Sequence, residues 1–343
     1  MKTQDVRVTI QEEMRAAFPA AEQRVWDFYA MQEYHLGWRD VDLKPASFDP
    51  GKLLRPQLSM LACQLVGGDI EQAMPLAAGI QLIHDFTLIH DDIEDDSDTR
   101  RGRTTVWKQW GIAHGINAGD AMFVVAHLAL HRMSDAGVAP AVVLEVLKRF
   151  DQTILTICEG QFLDLSFEGN LQITEADYLS MISRKTAALL AAAAGLGGIV
   201  GGADQASVQC LFDFGQSLGL AFQIQDDVIG IWGEPSVTGK PRAADIYRRK
   251  VSLPVVHALS NAENRNNLMR IYRQQEVNDD DVGTALTVLE NAGSREYSEG
   301  IALHYHKEAV QALERVCVAD TVLAREAREK IQGMLEKLLG RQA

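Results

Sequence analysis

The chain has 343 residues, 47% of them apolar, and its 47 acidic against 33 basic residues leave a formal charge of −14. That balance gives material for a sizeable core and argues against a nucleic-acid partner or a generally basic, membrane-facing surface. Cys63, Cys158, Cys210 and Cys317 stand far apart with no paired or metal-ligand spacing, the usage of a reducing, cytoplasmic compartment.

From the N-terminus onward the pattern is helical. The start, Met1-Lys-Thr-Gln-Asp-Val, is polar and carries no apolar run of a signal peptide. Apolar residues at three- and four-residue spacing predict helices over 6–17, 76–94, 141–168, 176–195, 208–231 and 322–339. Period-two alternation is nearly absent, so no strand is expected. Breaks are short: Ser47-Phe-Asp-Pro-Gly51, Val66-Gly-Gly-Asp69, Gly233-Glu-Pro235 and Gly239-Lys-Pro241. The uncharged run 187–203 is rich in Ala and Gly and short for a bilayer, and reads as a closely packed interior helix. The expectation is an all-α chain, 1–343, folded as a single domain of many helices around one core.

Six features along that scaffold carry chemistry. Gly51-Lys-Leu-Leu-Arg-Pro56 places Lys52 and Arg55 three apart at a helix start, where cations oppose the helix dipole unless an anion is held there. His84 lies about two turns before Asp91 and so on nearly the same face. Asp91, Asp92 and Asp95 then end an apolar helix, and Arg100 and Arg101 follow. Asp91 and Asp95, four apart, share a face, and carboxylates so close repel unless a cation sits among them. Hard oxygen ligands suit Mg²⁺, and guanidinium suits phosphate. Gln161 and Asp164 share a face of a long helix. Arg184-Lys-Thr186, with Lys185 at its centre, opens the Ala-rich helix. Finally Asp226 and Asp227, just past Gln223, end a second apolar run and are followed by Lys240, Asp245 and Lys250. Acid followed by base behind an apolar helix therefore occurs twice. Asn278-Asp-Asp-Asp281 reads as a helix cap, and His127 and His131 lack a third ligand.

In this order the motifs, from about Lys52 to Pro254, resemble the trans-isoprenyl diphosphate synthases, the polyprenyl synthetase family. The resemblance implies an all-helical bundle around a deep cavity, usually a homodimer, joining isopentenyl diphosphate to an allylic diphosphate with release of pyrophosphate. It assigns Asp91 and Asp95 as magnesium ligands with Asp92 in support, and Asp226, beside Asp227, to a third ion on an opposite wall. Arg100, Lys185, Lys240 and Lys250 would grip the allylic diphosphate. Lys52, Arg55, His84 and Arg101 would hold the isopentenyl diphosphate, while Thr186 and Gln223 would turn neutral dipoles toward the allylic cation. Two positions depart from the family pattern: Gly230 stands where a third aspartate is usual, and Leu53 where a basic residue is common.

Phe86, five residues before Asp91, lies about 7.5 Å down the helix axis and could floor the cavity, with the small Thr87 beside it. In the family this resembles the producers of C20 geranylgeranyl diphosphate; farnesyl or longer products are the alternatives. A class I terpene cyclase is the competing reading, since Asp226, Gly230 and Glu234 have the spacing of its second metal triad. It needs no second diphosphate site, however, and Gly230 offers no oxygen. A non-catalytic partner subunit would be expected to have lost more of these charged residues.

Overall fold

The computed structural model describes residues 3–234, 242–260 and 262–339, and the chain divides into two compact units. One comprises Met1–Phe150, Leu196–Asp204 and Val318–Ala324; the other comprises Asp151–Gly195, Gln205–Cys317 and Arg325–Ala343. The all-α expectation holds in both.

In the first unit, α1 (Thr3–Ala17), α2 (Trp26–His35) and α3 (Leu54–Leu65) precede the long α4 (Ile70–Glu94). α4 packs chiefly against α3 and against α6 (Ile112–His131), which follows the short α5 (Val106–Trp110). It starts earlier than its apolar spacing suggests because the Asp69 side chain caps it, accepting from the Glu71 amide at 3.0 Å. From Ala73 to Ile83 every residue of α4 is buried, so this helix is the spine of the unit. Gly79 lets it approach α6 closely: a β-carbon there would collide with Leu130.

The absence of strands is corrected at one place. Thr99–Arg100 (β1) pairs antiparallel with Arg103–Thr104 (β2). Arg101 and Gly102, at φ of 51° and 73°, form the two-residue turn, the left-handed pair that suits a tight hairpin. Strands of two residues are too short to show periodicity.

The second unit takes the later part of α7 (Pro140–Phe167), then α8 (Glu175–Ile182), a π-helical turn (Ser183–Ala187), the earlier part of α9 (Ala188–Val200) and α10 (Gln205–Trp232). There follow α11 (Ala244–Tyr247), α12 (Leu253–Ser260), α13 (Ala262–Tyr272), α14 (Asp279–Asn291), α15 (Ser294–Glu314) and α16 (Val322–Leu339). Thr174 and Asp177 form a reciprocal capping box at the start of α8. Asn278 caps α14 as its sequence suggests.

Glycine notches explain the small-residue run. Side chains at Gly215 and Gly219 of α10 would strike Leu190 and Ala187, and one at Gly160 would strike the backbone of Lys185. The π turn is therefore wedged between two helices. Among the described residues, no helix is long and apolar enough to cross a membrane.

Candidate active site

In the first unit the cations of the sequence reading are placed differently from one another. α3 begins at Leu54, and Leu53 takes a left-handed φ of 48°, so Lys52 lies in the exposed loop before the helix and does not share its first turn with Arg55. Gln57 Nε2 secures that loop by donating to the Lys52 and Leu53 carbonyls at 2.7 and 3.1 Å. Arg55 is directed inward, with Nη1 at 3.3 Å from His84 Nε2. Burial lowers its pKa to about 10 against the pull of Asp85, so it remains a cation at neutral pH. Burial, then Arg55, pushes His84 well below the ordinary histidine value. The imidazole is therefore neutral, and since a guanidinium only donates, its Nε2 is the acceptor and Nδ1 carries the proton.

Beside His84 sits a residue the sequence reading passed over. Asp85 is 2% exposed; its Oδ2 accepts from Gln81 at 2.8 Å. Its Oδ1 faces His35 Nε2 at 3.5 Å and Arg101 Nη2 at 3.9 Å. Burial alone would raise this carboxyl, but the His35 imidazole and, further out, His84 and Arg101 outweigh it and hold the pKa at about 2. His35 and Asp85 are 50 residues apart, and an aspartate following a histidine in an apolar helix gives no sign of its partner. The hairpin turn delivers Arg101, whose guanidinium comes up against Gly51.

A cavity of about 290 Å³ opens here, lined among others by His35, Gly51, Asp92, Arg100, Arg101 and Arg103. Among the described residues, four buried polar atoms of this region, His35 Nε2, Arg55 Nε, Asp85 Oδ1 and Asp92 Oδ2, lack a hydrogen bond, although His35 Nε2 and Asp85 Oδ1 face each other at 3.5 Å. Arg55 Nε is the cationic donor among them, an orphan of a kind that costs about 1–3 kcal/mol, and with Arg100, Arg101 and Arg103 along the cavity it suits an anionic guest.

Asp91, Asp92 and Asp95 separate as helical geometry requires. Asp92 is buried, and its Oδ1 accepts from Arg100 Nε at 2.8 Å; burial raises its pKa and Arg100 opposes the rise. Asp91 is half-buried and Asp95, at the C-cap, is exposed. Among the described residues no group of three or more acidic, histidine or cysteine side chains is clustered closely enough to hold a metal ion alone. One or two carboxylates, with phosphate and water completing the shell, are what Mg²⁺ takes, and Asp91 and Asp95 suit that donor set.

One turn and more below, Phe86 packs edge-on to Phe123 of α6, with ring centroids 5.5 Å apart. Phe123 continues to His127 at 4.7 Å, and His127 to Phe150 at 5.3 Å. With His90 edge-on to Phe86 at 4.9 Å on the other side, Phe86 is a member of a series of rings that single-helix spacing could not show. Thr87 turns its hydroxyl back to the His84 carbonyl at 2.7 Å. His127 Nδ1 lies 2.9 Å from the Phe123 carbonyl, an ordinary helical contact.

The second unit holds the other acidic helix end. Asp227 is fully buried; Oδ1 accepts from Gln223 Nε2 at 3.1 Å and Lys250 Nζ at 3.0 Å, and Oδ2 from the Tyr178 hydroxyl. Thr186 Oγ1 donates to Gln223 Oε1 at 2.9 Å, so Thr186, Gln223, Asp227 and Lys250 form one connected chain. Burial and then Asp227 push Tyr178 well above its ordinary value. Desolvation would lower Lys250, but Asp227 and Asp245 outweigh it and raise the ammonium's pKa. Asp226, one residue earlier, is half-buried. Lys185 pairs with Asp164, which gives that polar helix face its purpose. Arg184 hydrogen-bonds the Ser180 hydroxyl and lies 3.5 Å from Glu159. Glu234 is exposed, and Lys240 lies outside the described residues.

Comparison with known proteins shows the family. A model of the polyprenyl synthetase family matches residues 44–289. A geranylgeranyl diphosphate synthase of Mycobacterium tuberculosis is 41% identical over 285 residues, covering 82% of this chain and 80% of its own length. A short chain isoprenyl diphosphate synthase of Methanothermobacter thermautotrophicus is 40% identical over 286 residues, 80% of this chain and 87% of its own. A polyprenyl synthetase from Streptomyces coelicolor A3(2) superposes with a TM-score of 0.88 at 32% identity, covering 98% of both chains. The chain belongs to the polyprenyl synthetase family and is a prenyltransferase of the isoprenyl diphosphate synthase type.

Proposed function

We propose that the enzyme, a single catalytic domain over 1–343, condenses isopentenyl diphosphate with allylic diphosphates, head to tail, through to C20 geranylgeranyl diphosphate. The observation that carries this reading is the grouping of Arg55, beside the neutral His84, with Arg101 on its hairpin turn near Asp85. These are basic groups beyond the Arg100 that pairs with Asp92 at the acidic helix end, and chain elongation needs two diphosphates where cyclisation needs one. Lys52, on its exposed loop, and the neutral His84, which can donate through a ring N–H, complete the isopentenyl site.

Arg100, Lys185, Lys240 and Lys250 hold the allylic diphosphate. Magnesium ions, three in number, would be held by Asp91 and Asp95 and by Asp226, while Asp92 and Asp227 fix Arg100 and Lys250 beside them. When bound they stabilise the charge that gathers on the departing diphosphate. As the allylic C–O bond breaks, its electron pair leaves on that group. The isopentenyl double bond attacks the allylic carbon, and the pyrophosphate takes the proton lost from the new cation. Thr186 and Gln223, held in one hydrogen-bonded chain, offer oxygen dipoles to the allylic cation without forming a covalent adduct. The rings of Phe86 and Phe123, with Thr87 beside them, set the length at which the tail stops.

The enzyme acts in the cytoplasm as a homodimer. Ile112, Ile116, Val124 and Leu128, 54%, 45%, 53% and 40% exposed, repeat at multiples of four along α6, and an apolar stripe of that kind suits a second copy better than water.

The test incubates purified protein with Mg²⁺, isopentenyl diphosphate and each of the C5, C10 and C15 allylic primers, with products read by mass spectrometry. A C20 diphosphate and free pyrophosphate are expected. A cyclic hydrocarbon formed without isopentenyl incorporation would overturn the reading.

A further inference from the structure

α10 presents Asp226 and, one turn later on the same face, Gly230. A glycine inside a helix costs about 1 kcal/mol relative to alanine, so its presence here calls for a reason. A β-carbon on Gly230 would collide with the side-chain carboxylate of Asp245. A carboxylate therefore does stand one turn along from Asp226, although α10 does not supply it.

The backbone holds Asp245 firmly there. Ala243 and Arg249 flank α11 with left-handed φ values of 58° and 54°, a conformation that costs a non-glycine residue about 1–2 kcal/mol. Ile246 is fully buried and Ala243 nearly so, in a core shared with Val228, Ile231 and Trp232 of α10. The Lys250 amide donates to the Asp245 carbonyl at 2.9 Å, closing the turn. With the backbone anchored in this way, a larger residue at 230 is admitted by turning the Asp245 carboxylate away, since only side-chain atoms of Asp245 stand in its space.

We propose that Asp245 is a further metal-facing carboxylate of the diphosphate site. Together with Asp226 it presents oxygens to a hydrated magnesium ion, and position 230 is glycine because any side chain there would expel it. This rests on the assignment of Asp226 as a metal ligand above. The donor set fits: two carboxylates, one on α10 and one brought against it at Gly230, leave the remaining positions of an ion to water and phosphate oxygens.

The test measures Mn²⁺ binding to the full-length protein with inorganic pyrophosphate, by electron paramagnetic resonance and calorimetry, with thermal unfolding confirming that each variant folds. Asp245→Asn, of equal size, should weaken Mn²⁺ binding about tenfold, and Gly230→Ala should do the same by displacing the carboxylate. Gly230→Asp combined with Asp245→Ala returns the carboxylate to α10 and should bind Mn²⁺ more tightly than Asp245→Ala alone. Parent-like binding by Asp245→Asn, or a folded double variant as weak as Asp245→Ala, would overturn the proposal. Asp226→Asn separates the two levels. If it removes one class of bound Mn²⁺, leaving the ions of Asp91 and Asp95, while Asp245→Asn removes none, Asp245 alone is misassigned; if it too binds like the parent, the metal role of Asp226 fails first.

Discussion

The two charged regions solve opposite problems. In the first unit, Arg55 Nε lacks a hydrogen bond among the described residues, and Arg100, Arg101 and Arg103 line a cavity of about 290 Å³. Around Asp227, each carboxylate oxygen is engaged, by Tyr178, Gln223 and Lys250. The first region carries an electrostatic deficit that an arriving anion relieves; the second is finished before any substrate binds. Variants in the first should therefore disturb substrate binding more than folding, and variants inside the Asp227 network should disturb folding first.

The largest effect is expected at the metal carboxylates. Asp91→Asn should lower kcat by about 10²–10³-fold, the scale for losing one group that stabilises developing charge, measured at saturating substrates and Mg²⁺. Arg55→Gln comes next. It should raise KM for isopentenyl diphosphate by about 30–100-fold, or roughly 2–3 kcal/mol, the scale for truncating one partner of a buried charged pair. KM for the allylic primer should hardly change, and equal rises for both substrates would erase the distinction between the two regions. Tyr178→Phe probes the other side: losing a hydrogen bond to a buried carboxylate should cost about 1.5–3 kcal/mol of stability, read by denaturant unfolding. An unchanged midpoint would mean the Asp227 network is not a folding element.

The pH dependence of stability is smaller. Because burial and Arg55 depress His84, the unfolded chain takes up a proton that the folded chain refuses. The stability this contributes is complete above the unfolded value of about 6.5 and is lost as pH falls below it, by at most about 1.4 kcal/mol per pH unit. Asp85, held at about 2, adds its own loss only below about pH 4. His84→Gln should accordingly show a shallower fall in Tm between pH 6.5 and 5 than the parent; parallel curves would place the titration elsewhere. Smallest in energy, though not in outcome, is Phe86→Ser. It should lengthen products, and Phe123→Ala on the same background should lengthen them further. An unaltered distribution would put the floor elsewhere.

Much of the scaffold is legible in the sequence because helices advertise themselves by spacing and caps. The ends of α4 and α10 could be read directly from where apolar residues give way to aspartates. What the sequence conceals is contact made across distance. Nothing in the run Ile83-His-Asp-Phe86 tells that Asp85 meets His35, or that Phe86 rests on Phe123. Leu53 in a left-handed conformation cannot be foreseen from a lysine and an arginine three apart, so the shared helical turn of Lys52 and Arg55 was not to be had. Gly230 is the sharpest case: read along α10 it is a missing carboxylate, and in three dimensions Asp245 occupies its space.

The contrast between the regions is tested most directly by calorimetric titration of isopentenyl diphosphate into the metal-free protein, with no allylic substrate present. A site made of Arg55, His84, Arg101 and Lys52 needs no magnesium, so binding should be seen without it and should weaken about 30-fold or more in Arg55→Gln. Binding that appears only with Mg²⁺, and that Arg55→Gln leaves intact, would contradict it.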